Sequence, residues 1–444
     1  MCAFTDVQSS NPTADITHIS VQRRVVLLAI RELISQKARE GMEAKKGGLM
    51  GNLLQRTVVC LVLNVLLCSG ADGLKLGKSV QRANGVCATF VIPWGYGCDE
   101  FMVETDDGFL LGLQKITSPK SSGKSKGPAF LYHGILIGGD SWLLNPPEES
   151  LPFMLADTGY DVWIGNTRTT SFSFNHVSLR REEKSFWDWS VDELWQYDLA
   201  AMLEFVHSKS QSKISYIGFS QGTQAAFAAF SEGKLIDMVK NVVMLAPVAY
   251  VDHATSPIPI AAVKLYVDKI VENLPLYAFD TQIISGKALI EFICTSSNLP
   301  CIEGLTTLVT GPNCCINESR RAWYDKYEAQ ATSAKNLFHL VQQYRAKTFA
   351  KYDYGAKENL QRYGQKTPPS YDMSKIPKDI HLMLIQAEKD AIAVPSDIKH
   401  LLNELKSKPT FVSIPTYAHL DFVVATNANR LVYDKVLDFL GQPT

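Results

Sequence analysis

Six short apolar runs constrain this chain more than any other feature of it. AFLYH (129–133), DVWIG (161–165), ISYIG (214–218), VVMLA (242–246), HLMLIQ (381–386) and FVSIP (411–415) are nearly continuous in apolar residues. Such runs mark strands covered on both faces, because a half-exposed strand would alternate apolar with polar. Helical patterns lie between them, at 190–207, 223–231, 396–406 and 429–440. Strand and helix in alternation predict an α/β fold, a mostly parallel sheet flanked by helices. Ahead of the series, 88–93 and 100–116 read as strands, the second folded at Asp107-Gly108 into a hairpin. The alternation breaks once. Residues 248–379 are mostly helical in pattern, and an insertion that long between core strands predicts a cap or lid. The expected division is a first core part at 74–249, a helical cap at 250–376 and a second core part at 377–444.

The amino terminus belongs to neither part. Residues 1–49 are polar and charged, an expected disordered or mis-annotated extension. From Met50 the sequence reads MGNLLQRTVVCLVLNVLLCSGADG, with Arg56 before an apolar run and small residues after it. This is the layout of a secretory signal peptide over 50–73. The run is short for a membrane span, which needs about 20 apolar residues. Two readings follow. Either Met50 is the true start, or the run is an internal signal-anchor that leaves the chain membrane-anchored. Secretion, or delivery to an endomembrane or vacuolar lumen, is the leading expectation.

The nine cysteines agree with export. Cys2, Cys60 and Cys68 lie within or before the leader, and an even six remain: Cys87, Cys98, Cys294, Cys301, Cys314 and Cys315. All six are disulfide candidates in an oxidising compartment. Cys87 with Cys98 is a plausible local bridge; the pairing of the other four stays open. Asn317, in Asn-Glu-Ser, is a glycosylation acceptor for a secreted chain. A net charge of −1 gives no field to draw nucleic acid. Neither a metal constellation nor a phosphate-cradling glycine loop is read, and no cofactor or obligate protein partner is expected.

The pattern Gly-x-Ser-x-Gly occurs twice, as GKSKG (123–127) and GFSQG (218–222). A nucleophile elbow needs a strand before it and a helix after it, with glycines where backbones meet. Ser125 has neither and reads as loop. Ser220 follows ISYI and precedes TQAAFAAF, with Gly218 and Gly222 as the elbow glycines. A serine nucleophile needs a base, and the base needs an orienting acid. The order in this kind of fold is serine, acid, histidine. After HLMLIQ the acid candidate is Asp390, with Glu388, Asp397 and Asp379 as rivals; after FVSIP the base is His419. Backbone N–H groups of Gln221 and of Ile135, in YHGILIGGDSW, are the expected oxyanion donors.

At these residues the chain resembles the acid lipases of the α/β-hydrolase fold, the group of gastric and lysosomal acid lipase, and most of all their plant triacylglycerol-lipase branch. The resemblance runs over residues 85–440 and includes GVCATFVIPWGYGCDEF, YHGILIGGDSWLLN, FWDWSVDELWQYDL, the elbow and HLDF. It implies a serine esterase with a helical cap, acting on acylglycerols or related apolar esters at a lipid interface. It also implies that Ser220, Asp390 and His419 form the triad, with Ile135 and Gln221 at the oxyanion hole. The chain departs from that pattern at three positions. Phe219 stands where the family usually has His, Thr169 where it has Gly, and Ile135 where it has Leu. Phe219 and Thr169 are thereby candidate pocket residues. An esterase or acyltransferase for short or specialised esters, and a non-catalytic lipid-binding relative, are the alternatives. Apolar residues at 274–279 suit an acyl chain, or equally the interior of the cap.

Overall fold

A computed structural model describes residues 85–442 except 122, 265, 272–275, 281–300 and 328. The expected extension, the leader, Cys2, Cys60, Cys68, Cys294 and the first two residues of the 274–279 stretch lie outside the described residues, as does the side chain of Cys301.

Eight strands form the main sheet: β1 Gly97–Glu104, β2 Phe109–Thr117, β3 Pro128–Tyr132, β4 Asp161–Gly165, β5 Ile214–Phe219, β6 Val239–Leu245, β7 His381–Ala387 and β8 Thr410–Ile414. Their spatial order is β1-β2-β4-β3-β5-β6-β7-β8. β1 and β2 pair antiparallel around the Asp107-Gly108 turn, and β2 runs antiparallel to β4. From β4 to β8 every pairing is parallel. The two-residue strand Asn175–His176 adds to β2.

Burial explains why those runs are so apolar. Every residue of β3 and β5 is buried. Alternate side chains feed two separate cores. Ile217 and Phe219 of β5 enter one, with Leu131 and Ile385; Ile214 and Tyr216 enter the other, with Phe130 and Leu384.

The helices are α1 Leu151–Asp157, α2 over 191–210, α3 Gln221–Ser231, α4 Pro257–Lys264, α5 Cys301–Thr310, α6 Arg321–Tyr327, α7 Ala334–Ala346, α8 Ala356–Tyr363, α9 Pro395–Glu404 and α10 Asp434–Leu440, with short helical turns between several of them. α2 starts at a capping box: the Ser190 hydroxyl accepts from the helix and Glu193 accepts from the Ser190 N–H at 2.6 Å. α3 departs from the usual amphipathic pattern, since all eleven of its residues are buried. Between β6 and β7 the described chain is mainly helical, with one short antiparallel pair, Ala278–Phe279 with Thr332–Ser333.

One expected strand is absent. Residues 87–91 form a π-helical turn and 92–94 a 3₁₀ turn. A six-residue apolar run does not by itself distinguish a strand from a buried helical turn. Here tertiary packing decides: the ring of Phe90 stacks edgewise on Phe172, Trp323 and Tyr327. A disulfide joins Cys87 to Cys98 of β1 and ties this turn to the sheet edge.

Candidate active site

Ser220 stands at the carboxyl end of β5, between β3 and β6, where the ligands of open α/β sheets gather. The chain turns from β5 into α3 within one residue. That residue takes φ 53° and ψ −119°, a conformation L residues rarely adopt, which costs about 1–3 kcal/mol. The turn is held by the Ser220 N–H on the Leu245 carbonyl at 3.1 Å and the Thr223 hydroxyl on the Ser220 carbonyl at 2.6 Å. Space permits only glycine at 222, because a Cβ there would meet the Tyr132 carbonyl oxygen at 2.4 Å. Gly218 is nearly as crowded, 3.1 Å from the Gly222 backbone by the same measure.

Two loops bring the partners. The Ser220 hydroxyl lies 2.7 Å from His419 Nε2, and His419 Nδ1 lies 2.7 Å from Asp390 Oδ2. Asp390 follows β7 and accepts the N–H groups of Ile392 and Ala393 on its other oxygen at 2.8 and 2.9 Å. These bonds fix the carboxylate plane towards the imidazole. His419 follows β8, and its N–H donates to the Thr310 carbonyl at the end of α5. Asn313 accepts the next N–H, from Leu420, at 3.0 Å. Asp421 accepts from Ala418 and from Cys314, so it bridges the histidine loop to the 310–315 segment. Burial pushes the Asp421 carboxyl up to about 7, and its Oδ1 has no partner.

Two of the rivals of Asp390 do other work. Asp397 lies in the first turn of α9 and bonds His253 Nδ1 at 2.6 Å; Glu388 accepts from Ser413. Ser125 is exposed and donates to Asp161.

The two expected oxyanion donors, Gln221 and Ile135, stand on segments next to Ser220. Gln221 is the first residue of α3, so its N–H has no carbonyl one turn earlier to bond. Ile135 follows Gly134, which packs directly on the serine: a Cβ at Gly134 would stand 2.8 Å from Ser220 Cβ and 3.3 Å from its hydroxyl oxygen. His133, before that glycine, escaped the sequence reading as a functional group. It is buried, accepts the Thr167 N–H on Nε2 at 3.0 Å, and therefore carries its proton on Nδ1, which donates to the Gly134 carbonyl at 2.8 Å. Burial pulls it down to about 4, so it stays neutral. The motif His-Gly was the available signal; its hydrogen bonds needed the fold.

The two candidate pocket residues are both buried. Phe219 packs on the His419 ring with centroids 5.1 Å apart, and on Trp142 and Phe422. Thr169, at φ 68°, donates to the Ala331 carbonyl. One cavity, of about 1000 Å³, is lined by Lys184, Tyr277, Phe338 and Tyr352 among others, and by neither of these nor Ser220. Ser220 and His419 are 4 % and 3 % exposed, so the pair is buried.

Of the remaining disulfide candidates, Cys314 and Cys315 are free thiols, against the sequence expectation. They are chain neighbours on a loop, Cys314 half-buried and pushed up to about 12 by burial. Asn317 is half-buried, its side-chain oxygen accepting from Ser319. One trio among the described residues, Asp252, His253 and Asp397, has the spacing of a metal site, but its exposed imidazole already pairs with both carboxylates. No helix among the described residues is long and apolar enough to cross a membrane.

Comparison with known proteins gives the family and the fold. A partial α/β-hydrolase lipase region matches residues 87–146, and the α/β hydrolase fold matches 130–426. Triacylglycerol lipase 1 of Arabidopsis thaliana is 39 % identical, over 80 % of this chain and 90 % of its own. Lysosomal acid lipase/cholesteryl ester hydrolase of Homo sapiens is 34 % identical over 86 % and 97 %. Among solved structures, a soluble variant of monoglyceride lipase from Saccharomyces cerevisiae shares the fold at a TM-score of 0.53, with 13 % identity over 76 % of this chain and 94 % of that one. The chain therefore belongs to the acid-lipase family of α/β-hydrolases, a family of carboxylic ester hydrolases.

Proposed function

We propose that this protein is a serine lipase that hydrolyses apolar carboxylic esters, triacylglycerols or other acylglycerols first among them, through an acyl-enzyme. The observation that carries this reading is the unbroken line of hydrogen bonds from Ser220 through His419 to Asp390. Ser220 attacks the ester carbonyl as its proton passes to His419 Nε2. Asp390 holds the Nδ1–H tautomer and balances the imidazolium. The N–H groups of Gln221 and Ile135 take the negative charge that develops on the carbonyl oxygen, each worth about 2.7–4 kcal/mol in such sites. His419 returns its proton to the departing alkoxide. Water then repeats the sequence on the acyl-serine and frees the acid.

The burial of the pair is consistent with a cap that opens during the reaction. A shift of the helical insertion that admits substrate would suit an enzyme that opens at a lipid surface. The names of the relatives support a lipid ester as substrate. The disulfide Cys87–Cys98 supports export into an oxidising compartment, secreted or luminal, with the segment from Met50 as the signal and Asn317 as a glycan site.

The test is expression in a secretory host from Met1 and from Met50, with and without Ser220→Ala. Activity is measured on p-nitrophenyl esters from acetate to palmitate and on emulsified triacylglycerol. Long-chain and emulsion activity abolished by the substitution supports the lipase. Activity on short esters alone would favour the esterase or acyltransferase reading. Equal turnover in the parent and the variant would sink the serine mechanism.

A further inference from the structure

We infer that Gln330 and Asn336 are positioning residues for the oxyanion hole, so that one seven-residue stretch of the helical insertion holds both donor loops. The inference rests on the serine-lipase reading above and adds to it the part of the molecule that sets the donors.

Asn336 lies in the first turn of α7 and is 1 % exposed. Its side chain forms a reciprocal amide pair with Gln221. Gln221 Nε2 donates to Asn336 Oδ1 at 3.0 Å, and Asn336 Nδ2 donates to Gln221 Oε1 at 2.9 Å. The second Asn336 N–H reaches Thr332 Oγ1 at 3.1 Å, and the Asn336 backbone is capped by Ser333. Every polar atom of this amide is therefore used. Gln221 supplies an oxyanion N–H from the first position of α3, where the backbone has fewest helical bonds of its own. Two bonds on its side chain restrain that residue from the cap side.

Gln330 does the equivalent for the other loop and is 2 % exposed. Its N–H donates to the Leu136 carbonyl at 2.6 Å, one residue beyond Ile135. Leu136 has φ 62°, left-handed for a branched residue, so an external bond is needed to hold it. The Gln330 side chain donates to Asp140 at 2.6 Å and accepts from Ser171 at 2.8 Å. It passes so close to Gly138 that a Cβ there would lie 2.5 Å from Gln330 Nε2. The glycine at 138 is thus shaped to admit this side chain. Residues 330 and 336 stand on one continuous piece of chain, so displacing that piece would loosen both donors together.

The experiment uses the full chain, p-nitrophenyl butyrate, and an aryl trifluoromethyl ketone. The ketone adds the Ser220 oxygen to its carbonyl, passes the proton to His419 and leaves an oxyanion in the hole. Variants are Gln330→Ala, Asn336→Ala, Asn336→Asp, Gln221→Ala, the double Gln221→Ala/Asn336→Ala, and Ser220→Ala. The expected result for Gln330→Ala and Asn336→Ala is a fall in kcat of about 100-fold, with KM within about three-fold and ketone affinity weakened in step with kcat. The double variant falls no further than Gln221→Ala alone, because Asn336 acts through that side chain. Asn336→Asp, which keeps the acceptor and loses the donor, falls between; it decides the matter if the alanine variants do not fold. Unchanged kcat and ketone affinity in folded variants would overturn the inference, as would a double variant that loses both effects in full. Retained activity in Ser220→Ala is a different failure, that of the serine-lipase reading itself.

Discussion

Ser220 is a residue under strain in a place where strain has a use. Its backbone conformation lifts the hydroxyl off the strand end and aims it at His419. Asp390→Asn keeps the shape of the acid and removes the charge that fixes the tautomer, so kcat should fall by about 10⁴ with the melting temperature little changed. Steady-state kinetics beside a thermal melt tests this; loss of both together would make Asp390 a structural group. Gly222→Ala places a methyl against the Tyr132 carbonyl and should cost about 1–3 kcal/mol in urea unfolding as well as activity. Phe219 bears on His419 differently. It offers the imidazole an apolar face and no proton, where the resembling family usually has a second histidine.

At the scale of elements, the site is three loops held from outside. The histidine loop is pinned by the turn after α5, through Thr310, Asn313 and Cys314. Asn313→Ala removes the bond to the Leu420 N–H without opening a cavity in either core. It should lower kcat about ten-fold by loosening His419, at a stability cost of about 1 kcal/mol. Kinetics with a denaturant titration distinguishes this from a purely structural loss, in which stability would fall and kcat would hold. How much of this was legible beforehand varied with the element. All six apolar runs became strands; the inner ones are covered on both faces, which leaves a signal in composition alone, while β8 is a half-exposed edge strand. The turn at 87–94 misled, because six apolar residues carry no period and Phe90 is placed by Phe172, Trp323 and Tyr327, far along the chain. Ser220, Asp390 and His419 were legible from strand ends and chain order. Asn336 and Gln330 were not, since polar residues in a helical insertion look like surface until the partner loops fold over them.

The whole molecule carries two buried groups that respond oppositely to pH. His133 lies at about 4 instead of the usual 6.5, so the stability it contributes is present above pH 6.5 and is lost as pH falls towards 4. On the linkage relation the loss is on the order of 3 kcal/mol. Asp421 lies at about 7 instead of 3.8, so its contribution is present below pH 3.8 and is lost as pH rises through 7. Between pH 4 and 6.5 these two slopes oppose each other, so their combined contribution should be nearly flat there. Asp421→Asn removes one slope. Its stability should fall on acidification through that window and exceed the parent's at pH 8, in urea unfolding followed against pH. A variant as flat as the parent would mean that His133 does not titrate as its burial demands.

The helix behind the serine has one more consequence. Every residue of α3 is buried, so its amides should exchange with deuterium mainly when the sheet and the layer above it come apart. Local breathing should then do little to take Ser220 out of register. As denaturant rises, catalysis and the slowest-exchanging amides should disappear over the same range. A preparation of this protein would hold molecules that are either fully competent or unfolded, and the specific activity of the survivors would stay constant.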